Sequence, residues 1–67
     1  MTCLLKRHGE WSYLLAVNAA TEPVSAVLSA ERATSVEVLY ENRTCTAKDG
    51  KLTDNFAPFA VHIYRWR

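Results

Sequence analysis

A chain of 67 residues has few side chains with which to do chemistry. Glu41 and Arg43 flank Asn42; two apart on a strand they share a face, where they read as a structural surface pair worth about 0 to 1 kcal/mol. Asp54 precedes Asn55 and a Phe56-Ala57-Pro58 turn, a setting in which a carboxylate caps backbone N–H groups. Glycoside hydrolysis needs two carboxylates about 5 to 9.5 Å apart across a cleft. A domain this small has no depth for such a pocket, so no self-contained hydrolase is expected. A serine nucleophile needs a positioned histidine and an orienting acid. Ser12, Ser25, Ser29 and Ser35 lie in or beside extended runs without an elbow-type glycine turn. His62 sits mid-strand, where a histidine reads as hydrogen-bonded at a packed surface. Gly9 and Gly50 are the only glycines, too few for a phosphate-cradling loop. Cys3 and Cys45 are too few for a disulfide scaffold. They read as free, partly buried thiols that pair only if the first and fifth strands lie side by side. With only His8 and His62 to join them, no zinc site is expected, and no other cofactor.

Binding chemistry is carried instead by aromatics. Trp11 and Tyr13 share one face of a strand, and His62, Tyr64 and Trp66 share one face of the last strand. A flat ring stacks on the apolar side of a pyranose, so these five residues are candidates for sugar stacking or for a docking interface. They are also what a tiny core is made of. Trp66, at a strand end, is the best candidate for an exposed ring.

The elements that hold these residues are strands. Trp11, Tyr13, Leu15 and Val17 alternate with Ser12, Leu14, Ala16 and Asn18; Val24, Ala26 and Leu28 alternate with Ser25, Val27 and Ser29. Val36, Val38 and Tyr40 alternate with Glu37, Leu39 and Glu41, and Phe59, Val61, Ile63 and Arg65 with Ala60, His62, Tyr64 and Trp66. This two-residue period, in runs rich in β-branched and aromatic residues, specifies half-buried strands. His8-Gly9-Glu10 reads as a tight hairpin, Asn18 to Pro23 as a loop, and Asp49-Gly50 as a two-residue turn with positive φ. Ala30 to Ala33 tolerate a helical turn, but Val27 to Thr34 read better as a loop between strands. The result is a single domain, residues 1–67, folded as a small antiparallel β-sandwich of six to seven short strands with mostly nearest-neighbour connections.

Formal net charge is +1, with acids and bases interspersed, which excludes a nucleic-acid footprint of clustered Lys and Arg. Lys6-Arg7-His8 and Arg65-Trp66-Arg67 are the only basic clusters and read as solvated strand ends. No stretch approaches the ~20 apolar residues that span a bilayer. Lys6 follows Met1-Thr-Cys-Leu-Leu with no signal-peptide core after it, so a cytoplasmic location is expected.

Four segments together resemble a known module: Tyr13-Leu-Leu-Ala-Val-Asn18, Pro23-Val24, Val36-Glu-Val-Leu-Tyr-Glu-Asn-Arg43, and Gly50-Lys-Leu-Thr-Asp-Asn-Phe-Ala-Pro-Phe-Ala-Val-His-Ile-Tyr-Arg65. They look like the C-terminal β-sandwich that follows the TIM barrel in many bacterial glycoside hydrolases. The resemblance runs from about Cys3 to Arg65. It implies a noncatalytic accessory role, because the catalytic carboxylates of such enzymes belong to the barrel. It also implies Tyr13, Val17, Val36, Val38, Val61 and Ile63 as core, Asp54 and Phe56 as turn formers, and Glu41 with Arg43 as a structural pair. A domain without its barrel exposes its docking face. The expected partner is a second copy, making a homo-oligomer, or a glycoside hydrolase catalytic domain. The face expected to dock is that of His62, Tyr64 and Trp66, or that of Trp11. A carbohydrate-binding module using Trp11, Tyr13 and Trp66 is the alternative.

Overall fold

The computed structural model describes all of residues 1–67. The chain folds as seven strands: β1 (Thr2–His8), β2 (Trp11–Val17), β3 (Val24–Ser29), β4 (Ser35–Val38), β5 (Arg43–Thr46), β6 (Lys51–Phe56) and β7 (Val61–Trp66). No helix is long and apolar enough to cross a membrane.

Turn chemistry sets the path. In His8-Gly9-Glu10-Trp11 only Gly9 has positive φ (62°) and His8 pairs with Trp11, which is the type II′ hairpin that favours glycine first. At Lys48-Asp49-Gly50-Lys51 both central residues are left-handed (54° and 73°), the type I′ pattern expected of Asp-Gly. Two further corners are type II turns. Ala60 donates to the Ala57 carbonyl at 3.0 Å around Pro58 and Phe59, and Ala33 donates to that of Ala30 at 3.1 Å around Glu31 and Arg32. Phe59 (φ 60°) and Arg32 (φ 64°) occupy the position that glycine usually fills.

Two antiparallel sheets result, one ordered β1-β2-β7-β4-β5 and the other β3-β6. Of the five strand pairings only β1–β2 and β4–β5 join neighbours in sequence, which corrects the nearest-neighbour expectation. The reason is that residues 18–23, 30–34 and 57–60 each cross between sheets, as does the turn at 48–51. Two strand limits are also corrected. β4 ends at Val38, and Tyr40 (φ 65°) stands 93 % exposed on a turn; β7 starts at Val61, after the Pro58-Phe59 corner.

The register aligns Leu5, Leu14, Tyr64, Val38 and Arg43 across all five strands of the large sheet, on the side facing the small one. Leu14, Ala16, Val36, Val38, Tyr64 and Trp66 meet Leu28, Leu52 and Phe56 there to form the core. Val36 and Val38 are core as expected. Tyr13, Val17 and Ile63 are only half-buried and Val61 is exposed, because they occupy the opposite face of β2 and β7. Asp54 and Phe56 lie within β6 and form no turn.

Asn18 is the one buried polar residue. Its amide donates to the carbonyls of Glu22 (2.9 Å) and Ala57 (3.1 Å) and its oxygen accepts from the Ala20 N–H (3.0 Å), tying two intersheet crossings together. Asn18→Ala leaves two backbone carbonyls and an N–H without their partner, and is expected to lower unfolding free energy by about 1–2 kcal/mol in urea titration. A loss below about 0.5 kcal/mol contradicts this anchoring role.

Candidate functional site

Alternation along β6 points Leu52, Asp54 and Phe56 inward, so a carboxylate enters between two core side chains. Opposite it, the β4–β5 turn supplies Glu41, the start of β5 supplies Arg43, and β7 supplies His62 and Tyr64. Arg43 donates to both Asp54 oxygens, Nη1 to Oδ1 at 3.2 Å and Nη2 to Oδ2 at 2.8 Å, the paired geometry a guanidinium makes best. The Tyr64 hydroxyl donates to Oδ2 at 2.6 Å and the Asn55 N–H to Oδ1 at 2.9 Å. Arg43 Nε reaches Glu41 Oε1 at 3.0 Å, and the second Glu41 oxygen bonds His62 Nδ1. His62 Nε2 faces the Asn55 carbonyl at 3.1 Å while the ring packs on Phe56, centroids 4.5 Å apart. Both ring nitrogens thus face acceptors: a doubly protonated ring serves both, and a neutral one leaves one unpaired.

Burial sets these groups against their partners. It pushes the Asp54 carboxyl up, but hydrogen bonds from Arg43, Tyr64 and the Asn55 N–H outweigh it and hold the group below its ordinary value. Glu41 behaves alike, burial being overcome by His62 and then Arg43. Tyr64 is pushed up by burial and then by its bond to Asp54, and Arg43 is raised chiefly by Asp54. Burial and the Asp54 charge also raise the Cys45 thiol, which suppresses its reactive thiolate. Every carboxylate oxygen in the cluster already has a partner. The arrangement clamps the small sheet to β5 and β7.

The expected pair of Glu41 with Arg43 is present, made across a turn in which Asn42 has φ 57°. The larger cluster escaped sequence reading, although Leu-x-Asp-x-Phe from Leu52 to Phe56 carried a signal: a charge in an inward, apolar parity. Cys3 and Cys45 are free and lie on opposite edge strands of the large sheet, which excludes their pairing within one chain. No three His, Cys, Asp or Glu side chains gather to hold a metal ion.

The five aromatic candidates are divided between the two faces of the large sheet. Tyr64 is fully buried and Trp66 only 4 % exposed, its indole donating to the Glu31 carbonyl at 3.0 Å; the expectation of an exposed Trp66 ring is corrected. With His62, they face the core and cannot form an outer docking surface. Trp11 and Tyr13 occupy the outer face. The Arg65 and Arg67 guanidiniums lie 4.6 and 4.7 Å from the Trp11 ring centroid, so Trp11 is already stacked. On that outer face, register lines up Leu4, Leu15 and Ile63 across β1, β2 and β7, with Val17 and Val61 as the next pair. Leu39 extends the row, its N–H bonding the Ile63 carbonyl at 2.8 Å. Leu4 and Val61 are about half exposed (51 % and 50 %) and no second layer covers them.

No family model matches the chain, and no curated protein or solved structure matches it either.

Removing Asp54 abandons Arg43 and the Tyr64 hydroxyl together. Asp54→Ala is expected to cost about 2–3 kcal/mol of stability. Glu10→Ala, which breaks the exposed Arg67–Glu10 pair (2.7 Å), should cost no more than about 0.5 kcal/mol. Equal costs in urea titration contradict the clamp. The cluster also predicts acid sensitivity. Unfolded, Glu41 and Asp54 titrate at their ordinary 4.5 and 3.8; folded, both are depressed. The unfolded chain therefore binds more protons as acid is added, so stability is full above about pH 5 and falls as pH drops from there toward 2. Urea midpoints at about pH 7 and pH 3 should show that decline, shallower in Asp54→Asn; equal midpoints contradict it.

Proposed function

We propose that this chain is a noncatalytic β-sandwich module that acts in domain packing or self-association through the outer face of its large sheet. One observation carries the reading: β2 and β7 are apolar on both faces, and only one face is covered. Strands apolar on both sides are typical of sheets buried on both sides. Contiguous apolar patches beyond a few hundred Å² mark interaction surfaces, and Leu4, Leu15, Val17, Val61 and Ile63 adjoin one another here. The accessory role implied by the resemblance to the glycoside hydrolase C-terminal domain supports the same reading, with a catalytic barrel or another copy as what docks. The saturated hydrogen bonding of Glu41 and Asp54 supports a structural role for the carboxylates. Sugar stacking has little support, because Tyr64 and Trp66 lie in the core and arginines stack on Trp11.

An apolar dye such as anilinonaphthalene sulfonate tests the face directly. The native chain should enhance its fluorescence saturably, and Leu15→Lys with Ile63→Lys should abolish that enhancement while keeping the fold. No enhancement by the wild type, or equal enhancement by the variant, defeats the reading.

A further inference from the structure

β1 leaves an apolar half, Cys3 to Leu5, uncovered ahead of its basic Lys6-Arg7-His8 end. All seven of its residues, Thr2 to His8, are exposed, including Cys3, Leu4 and Leu5. It pairs with β2 alone and forms a free edge of the large sheet. The two-stranded layer does not reach across it, leaving a cavity of about 260 Å³ lined by Cys3, Leu5, Leu14, Ser29 and Trp66 together with the ion-paired Arg7 and Glu31. Natural edges are blunted by shortness, proline, a bulge or charged side chains. β1 carries Lys6 and Arg7 in its second half, but it is seven residues long with neither proline nor bulge, its register with β2 unbroken from Thr2–Val17 to His8–Trp11. The other edge of this sheet, β5, spans only Arg43–Thr46, and β3 starts directly after Pro23.

We propose that β1 pairs antiparallel with β1 of a second copy, about a two-fold axis through Leu5, joining the two large sheets into one. This deepens the self-association reading, and uses the sheet edge where that reading uses the face.

The backbone selects this partner. In a two-residue hairpin the closing residues, here His8 and Trp11, exchange both hydrogen bonds. Pairs then alternate, so Thr2, Leu4 and Lys6 also direct their N–H and C=O groups toward β2. Cys3, Leu5 and Arg7 point theirs outward. That outward set is symmetric about Leu5. A two-fold axis there matches Leu5 with the partner's Leu5 and Cys3 with the partner's Arg7, forming about six N–H···O bonds. An odd shift of register would put inner-face residues opposite outer-face ones, which the pleat forbids. Charge agrees with the match. Lys6 faces the partner's Leu4, its stem lying over the leucine, His8 faces the partner's Thr2, and no like charges stand opposite. The two Lys6 side chains become diagonal neighbours on the outer face, a repulsion between exposed charges that salt screens. The two outer apolar faces become one platform, and the partner's Leu5 closes the open mouth of the cavity beside Cys3 and Leu5.

Leu5→Pro separates the edge from everything else. Its N–H serves no bond to β2, so proline there spares the monomer, as at solvent-facing edge positions generally. In the assembly it removes both central bonds. Light scattering should give the wild type twice the 7.6 kDa chain mass. Leu5→Pro should weaken the dimer by about 30-fold or more. Leu15→Lys with Ile63→Lys should remain dimeric. If Leu5→Pro does not fold, a synthetic chain N-methylated at Leu5 makes the same test without a change of side chain. A monomeric wild type at high concentration, or a dimer unaffected by losing the Leu5 N–H, overturns the proposal. A dimer abolished only by the two outer-face lysines also overturns it, while leaving the docking face standing.

Discussion

The contact that organises this fold is the Asp54 carboxylate held between two sheets. A two-stranded sheet is too small to bury much surface, and packing alone would let β3 and β6 slide over the larger layer. Asp54 fixes their position by accepting from Arg43 on β5 and Tyr64 on β7 while its own strand runs in the opposite sheet. Hydrogen bonds have direction, so these define an alignment that Leu28, Leu52 and Phe56 could not define alone. An inward charge is costly without partners, which is why Arg43 is in turn held by Glu41, and Glu41 by His62. The turn carrying Glu41 tolerates left-handed backbone at Tyr40 and Asn42 to bring that carboxylate into reach.

Unequal sheets leave the apolar surface of the molecule unevenly covered. Five strands face two, so the small layer covers the middle of the large sheet and stops short of β1. The side near β5 is sealed, because the Asp49-Gly50 turn carries the chain directly from β5 to β6 in the other layer. The side near β1 is open, bridged at the surface by Arg7 and Glu31 at 3.5 Å. Stability is gathered around β7, which lies between β2 and β4 and presents Tyr64 and Trp66 to the core. Apolar surface is left at the outer face and the β1 edge. A chain this short buries only about 60% of its extended-chain surface, so leftover apolar area is where association is most favourable.

Legibility in the sequence followed the range of the interactions. Strand character, the His8–Trp11 hairpin and the Asp49-Gly50 turn depend on neighbours a few residues apart, and the chain declares them openly. The pairing of Glu41 with Arg43 is equally local. Topology was less visible, since β2 with β7 and β3 with β6 are joined across long separations. The limits of β4 and β7 were blurred because Tyr40 and Phe59 have good strand propensity, yet tertiary packing places them at left-handed corners.

What the sequence by itself determined is an all-β sandwich with short strands and no concentration of charge. Which side of each strand faces inward was decided only in three dimensions. On β2 and β7 both parities are apolar, so a period of two names the faces without ranking them. The choice fell to Tyr64 and Trp66 because each has a polar tip that finds a partner in the interior, Asp54 for the hydroxyl and the Glu31 carbonyl for the indole. Leu15 and Ile63 offer no such anchor, and the small second sheet could cover one face only.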